Sequence, residues 1–136
     1  MKNIKLKDIK RDWHLIDAKD KVLGRLCSQV AVYLMGKNKS YFTPFLDTGD
    51  FVVIINAKDV KLTAKKEIQK KYWRHSGYPG GISFKTASQI RRDSPRTLIR
   101  HAILGMLPKT TLGKQMIKKL YVYDQKNHPH ETKFKN

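Results

Sequence analysis

Apolar residues change their spacing along the chain, and each change marks an element. Trp13–Ala18 groups aromatic and branched residues and predicts a strand. Asp20-Lys21 fits a short turn. Apolar side chains then fall at Leu23, Leu26, Cys27, Val30, Ala31 and Leu34. This is the i, i+3, i+4, i+7 stripe of an amphipathic helix, and Gly36 stands where such a helix ends. A polar loop, Lys37–Ser40, follows. Phe42–Phe45 is expected to be extended, because Pro44 disfavours helix at Thr43. Asp47–Asp50 reads as a turn, with Gly49 taking unusual backbone angles. Phe51–Ile55 is apolar at every position. A strand with one wet face alternates, so a continuous run suits a strand covered on both faces, as in a parallel sheet.

Beyond it the pattern weakens and returns. Val60–Ala64 is a candidate strand, Tyr72–His75 reads as extended, and Gly77–Gly81 as a flexible loop. Thr86–Arg92 is a candidate short helix. Ser94-Pro95 suits a helix start, Ser capping and Pro in the first turn. Leu98, Ile99, Ala102, Ile103, Met106 and Leu107 keep helical spacing as far as Pro108. Thr111 is placed to cap a further helix with Leu112, Met116, Ile117 and Leu120 on one side. Tyr121–Tyr123 is a last candidate strand, and Asp124–Asn136 is polar and reads as a loose tail. Alternating strands and helices predict one α/β domain over residues 13–123, after a basic arm, 1–12, and before the tail, 124–136. Its core is assigned to Ile16, Leu26, Val30, Leu34, Val52, Ile54, Leu98, Ile103 and Leu107.

Charge changes the picture most. The chain of 136 residues carries a formal net charge of +18. Such an excess repels itself and calls for a polyanionic partner. The cations cluster. Residues 94–123 hold six Lys/Arg and no acid; residues 61–75 hold Lys61, Lys65, Lys66, Lys70, Lys71 and Arg74 against Glu67. Basic clusters beside aromatics and glycines suit nucleic acid: cations neutralise phosphates, rings stack on bases, and glycine admits backbone. No apolar stretch approaches the ~20 residues of a spanning helix, so no membrane role is expected. The first residues lack the apolar core of a secretory signal. The expected compartment is the cytoplasm, or the interior of an organelle that makes its own proteins.

Candidate chemistry is sparse. Cys27 lies on the apolar stripe and reads as an inert buried thiol. His128-Pro129-His130 offers two metal ligands without a third at sensible spacing. Leu23-Gly24-Arg25 opens a helix after a strand, but neither G-x-G-x-x-G nor a Walker sequence is present, so no cofactor is expected. Trp13 and Trp73 read first as packing residues; Trp73, among lysines, is the better candidate for stacking. Asp47-Thr48-Gly49 matches the tripeptide of aspartic proteases. That family is all-β, whereas Leu23–Leu34 is helical, so Asp47 and Asp50 are read as structural turn residues. On that reading Asp47→Asn costs on the order of 1 kcal/mol.

Many short blocks, in order across residues 11–123, resemble the bacterial-type large-subunit ribosomal proteins of the L-thirteen family. They include Arg11-Asp12-Trp13, Leu23-Gly24-Arg25-Leu26, Tyr41–Pro44, Asp47–Asp50, Asn56-Ala57, His75–Gly81, Gly105–Lys109, Leu112–Lys114 and Leu120–Tyr123. The resemblance implies a three-layer α/β/α domain around a small, mostly parallel sheet. It implies binding to large-subunit ribosomal RNA early in assembly, ribosomal protein neighbours, and no catalytic activity or small-molecule substrate. The expected RNA contacts are Arg25, Lys37, Lys39, Lys65, Lys66, Arg74, His75, Lys109, Lys114, Lys118 and Lys119, with Gly77, Gly80 and Gly81 permitting close backbone approach. The alternatives are a free-standing RNA- or DNA-binding factor, such as a translational repressor, and the protease just weighed.

Overall fold

A computed structural model describes residues 4–134. The first three residues of the arm and the last two of the tail lie outside it. The predicted central strand is β2, Phe51–Ile55. It pairs in parallel with β1, Trp13–Asp17, on one side and with β5, Leu120–Val122, on the other. Val52 and Ile54 face one side of this sheet in register with His14 and Ile16 and with Leu120 and Val122. Phe51 and Val53 face the other side, beside Trp13 and Tyr121. Both faces of β2 are covered, which is why its sequence shows no alternation.

The first face is covered by α1, Leu23–Met35, and α4, Pro95–Met106, packed against each other. All six residues of the α1 stripe are buried. Cys27 sits against Ile99 of α4, and burial pushes its thiol up to about 12, leaving it protonated and unreactive. All nine residues assigned to the core are buried. Gly36 ends α1 at φ 77°, donating to the carbonyls of Val32 and Tyr33.

The second face is covered by the C-terminal segment, which sequence composition had marked as loose. Trp13 stacks on Phe51 at 4.5 Å and on Tyr121 at 5.8 Å. His130 packs 5.2 Å from Trp13, and Phe134, in the 3₁₀ turn Glu131–Phe134, meets it edge-on at 6.3 Å. Scattered aromatics and histidines in a polar stretch form this thin third layer, so Trp13 is a packing residue and His128 and His130 belong to an aromatic cover.

Between these elements lie α2, Lys66–Gln69; an antiparallel hairpin of β3, Lys71–His75, and β4, Ile82–Thr86; α3, Ala87–Asp93; and α5, Thr111–Met116. Several local expectations shift. Val60–Ala64 contributes one bridge, Lys61 to Val22, rather than a strand. Residues 44–46 bend instead of extending. Ser94 occupies the N-cap of α4 but makes no side-chain cap bond. Thr110, not Thr111, caps α5, accepting from the Gly113 N–H at 3.4 Å. The loop glycines Gly77 and Gly80 close the hairpin at φ 86° and 70°.

Candidate nucleic-acid interface

The Asp47–Asp50 segment is where the domain disposes of its acids. Gly49 is required by close approach, not by backbone angle: a Cβ there would run into the Leu34 carbonyl and lie 2.7 Å from the Lys119 ammonium. Thr48 and Asp50 are buried. Asp50 pairs with Lys39, accepts from His14 Nε2 at 2.9 Å and accepts from the Asp12 N–H at 3.1 Å. Asp47 takes the ammonium of Lys119, accepts the Gly49 N–H at 3.2 Å and has Arg11 at 3.9 Å. The protease-like tripeptide is therefore an internal ion-pair centre.

Two of the expected RNA contacts, Lys39 and Lys119, take part in this arrangement. Lys119 is only 5% exposed and also donates to the Leu34 carbonyl, so its ammonium faces inward. Burial lowers its pKa, while Asp47 opposes the shift. The Lys39 side chain is 9% exposed and is tied to Asp50 and to the Lys10 carbonyl. Both ammonium groups are engaged by partners within the domain.

Burial alone would raise the Asp50 carboxyl, but Lys39, His14 and the Asp12 N–H outweigh it and hold the group below its ordinary value of 3.8. A carboxyl whose folded pKa is depressed stabilises the fold fully above its unfolded pKa, and loses that contribution as pH falls through its folded pKa. The urea midpoint is therefore expected to drop below about pH 4, and Asp50→Asn should flatten part of that drop. Identical acid profiles for parent and variant, measured between about pH 2.5 and 5, would contradict this role.

The outward cations are arranged differently. Arg25, Lys37, Lys65, Lys66, Arg74, Lys109, Lys114 and Lys118 are exposed. Among the described residues, none of them has a carboxylate at ion-pair distance. They do not form one patch. Lys37 follows the C-terminal end of α1, about 18 Å along the helix from Arg25 at ~1.5 Å per residue. His75 accepts the Gly77 N–H at 2.9 Å and so shapes the hairpin loop. A Cβ on Gly81 would meet the Ser76 side chain, so this glycine serves internal packing.

A broken trough wraps around the exposed side of α4. It consists of three depressions of about 140, 330 and 440 Å³. The first two share Lys70 and Ala102, and the last two share His101 and Gly105, so neighbouring depressions adjoin. Lys66, Lys70, Lys71, Lys109 and Lys114 line its length. Small residues, Gly24, Ala102 and Gly105, are among its lining, and Cβ positions at both glycines open onto empty space. Lys70, Lys71 and His101 were absent from the expected contacts. They join the trough because the β3–β4 hairpin folds beside α4, where Tyr72 meets His101 edge-on at 5.0 Å. The available signal was Ala102 and Gly105 at helical spacing beside an exposed histidine.

Fold and surface together define a cationic α/β scaffold with its main acidic groups committed to internal or intramolecular pairs. Residues 11–129 match the family described as Ribosomal protein L13. The chain is 55% identical over 128 residues to large ribosomal subunit protein uL13 of Dictyoglomus thermophilum, covering 94% of this chain and 90% of that one. It is 52% identical over 124 residues to uL13 of a Nostoc species, covering 91% and 82%. With uL13 of Nautilia profundicola it shares 48% over 134 residues, covering 98% and 96%. The chain belongs to the ribosomal protein L13 family and is a structural ribosomal component, not an enzyme.

Proposed function

We propose that this protein binds large-subunit ribosomal RNA through the α4 trough and supports early assembly of that subunit. The observation that carries the proposal is the sorting of charge: among the described residues, lysines without carboxylate partners line adjoining depressions that also hold Gly24, Ala102 and Gly105, while Asp47 and Asp50 are consumed internally. Ammonium groups lining these depressions suit a phosphate backbone, and Gly24 and Gly105 leave room for it to approach. Such contacts position folded RNA by shape more than by base sequence. Arg25, Lys65 and Arg74 are sequence neighbours of the lining residues Gly24, Lys66 and Trp73, and Gly77 and Gly80 give the hairpin loop its turn. Lys37 and Lys118 lie outside the trough and suit a second RNA segment or a neighbouring ribosomal protein. The site of action is the ribosome, in the cytoplasm or in an organelle that makes its own proteins.

With about five to ten phosphate contacts, log affinity for the RNA should fall linearly with log salt, with a slope of roughly −4 to −9. Filter binding measures it directly. A slope near zero would remove the phosphate mechanism, and failure to sediment with large subunits in stoichiometric amount would remove the ribosomal assignment of that binding.

A further inference from the structure

We infer that the outer face of the β3–β4 hairpin is a stacking platform for an unpaired nucleobase, an inference that rests on the RNA-binding proposal above. Strand alternation places Lys71, Trp73 and His75 on the same face as Phe84 and Ile82. Trp73 is 60% exposed and Phe84 47% exposed, with ring centroids 5.0 Å apart. Large aromatics left open on a domain with a complete core mark an interaction surface. The Lys71 ammonium lies 4.6 Å from the Phe84 centroid and 5.9 Å from that of Trp73.

The chemistry favours a base over a protein side chain. Protein–protein interfaces are depleted in lysine, whereas this face carries one directly over its rings and no acid. A π surface beside a cation takes a base on the ring and its phosphate on the ammonium, and every base has a π face to offer. Position agrees with chemistry: Trp73 also lines the middle depression of the trough, next to Lys70 and His101. A strand whose backbone follows the lysines can turn one unpaired base outward onto Trp73. In a continuous duplex the bases are stacked on one another and unavailable, so the platform selects a loop, bulge or end.

The test uses the full chain and in vitro-transcribed bacterial large-subunit ribosomal RNA. Trp73→Ala should weaken binding by about 5- to 150-fold while leaving the salt slope unchanged, because a stack and not a phosphate contact is lost. Trp73→Phe should restore most of the affinity. RNA should quench the tryptophan emission of the parent. In Trp73→Phe, whose remaining tryptophan is the packed Trp13, that quench should vanish. Circular dichroism should match the parent in both variants, since the side chain is exposed. Parental affinity in Trp73→Ala would overturn the platform; parental affinity with loss of entry into reconstituted subunits would assign the face to a protein neighbour instead. A parent that binds RNA with no salt dependence would take down the phosphate proposal and this inference with it, whereas normal parental binding with an unaffected alanine variant takes down the stack alone.

Discussion

Asp47→Asn is expected to destabilise the domain by about 3–5 kcal/mol, the usual cost of removing one partner from a buried ion pair. The substitution keeps the shape of the side chain and an oxygen for the Gly49 N–H, but it leaves the Lys119 ammonium with 6% of its side chain exposed and no carboxylate on it. The Leu34 carbonyl, at 3.4 Å, cannot neutralise a charge. Read as a surface turn residue, Asp47 would cost only about 1 kcal/mol when changed. The two accounts separate cleanly in urea titration. The pair account adds a second result: Asp47→Asn combined with Lys119→Met should recover much of the loss, because an apolar side chain in the same space no longer needs a partner. A single variant within about 1 kcal/mol of the parent, or a double variant no better than the single, would return Asp47 to the status of an ordinary turn.

The contrast between those accounts shows what the sequence carries and what it does not. The stripe from Leu23 to Leu34 and the unbroken run Phe51–Ile55 announce their burial because a helix and a two-sided strand each impose a period on their own residues. Gly36 announces the end of α1 for the same local reason. Lys119 announces nothing. It is adjacent to Lys118, yet one points out and the other in, and its partner lies 72 residues away. Composition registers both as solubilising charge. The C-terminal segment misleads similarly: its polar average hides His130 and Phe134, which are brought onto Trp13 by a contact across nearly the whole chain.

The hairpin shows only in its first strand and its loop, for a different reason. Ile82-Ser83-Phe84-Lys85 alternates with a period of two, a strand signal in plain view, and Tyr72–His75 is its pair. What conceals it is that neither strand has a buried face over most of its length, so hydrophobic contrast is weak even where backbone pairing is regular. Site residues follow the same logic. Lys66, Lys109 and Lys114 were expected singly from basic clusters, but their alignment with Lys70 and Lys71 depends on where the hairpin lies against α4.

That alignment makes the largest expected effect on binding specific to place and not to charge. Changing Lys66, Lys70, Lys109 and Lys114 together to Gln removes four trough cations. Each phosphate contact contributes about 0.9 to the slope of log affinity against log salt, and so close to tenfold in affinity at ~0.1 M. The quadruple variant should bind large-subunit ribosomal RNA about a thousandfold or more weakly, with a slope shallower by roughly 3 to 4. Its fold should persist, since all four side chains are exposed and surface changes away from caps and pairs typically stay within ~0.5 kcal/mol each. The decisive comparison is Lys58→Gln with Lys126→Gln, which also removes charge from exposed positions but lies outside the trough and outside the expected RNA contacts. Per lysine removed, that pair should lose less affinity and less slope. If the loss per lysine is the same in both variants, the RNA responds to net charge alone, and the trough has no special part in binding it.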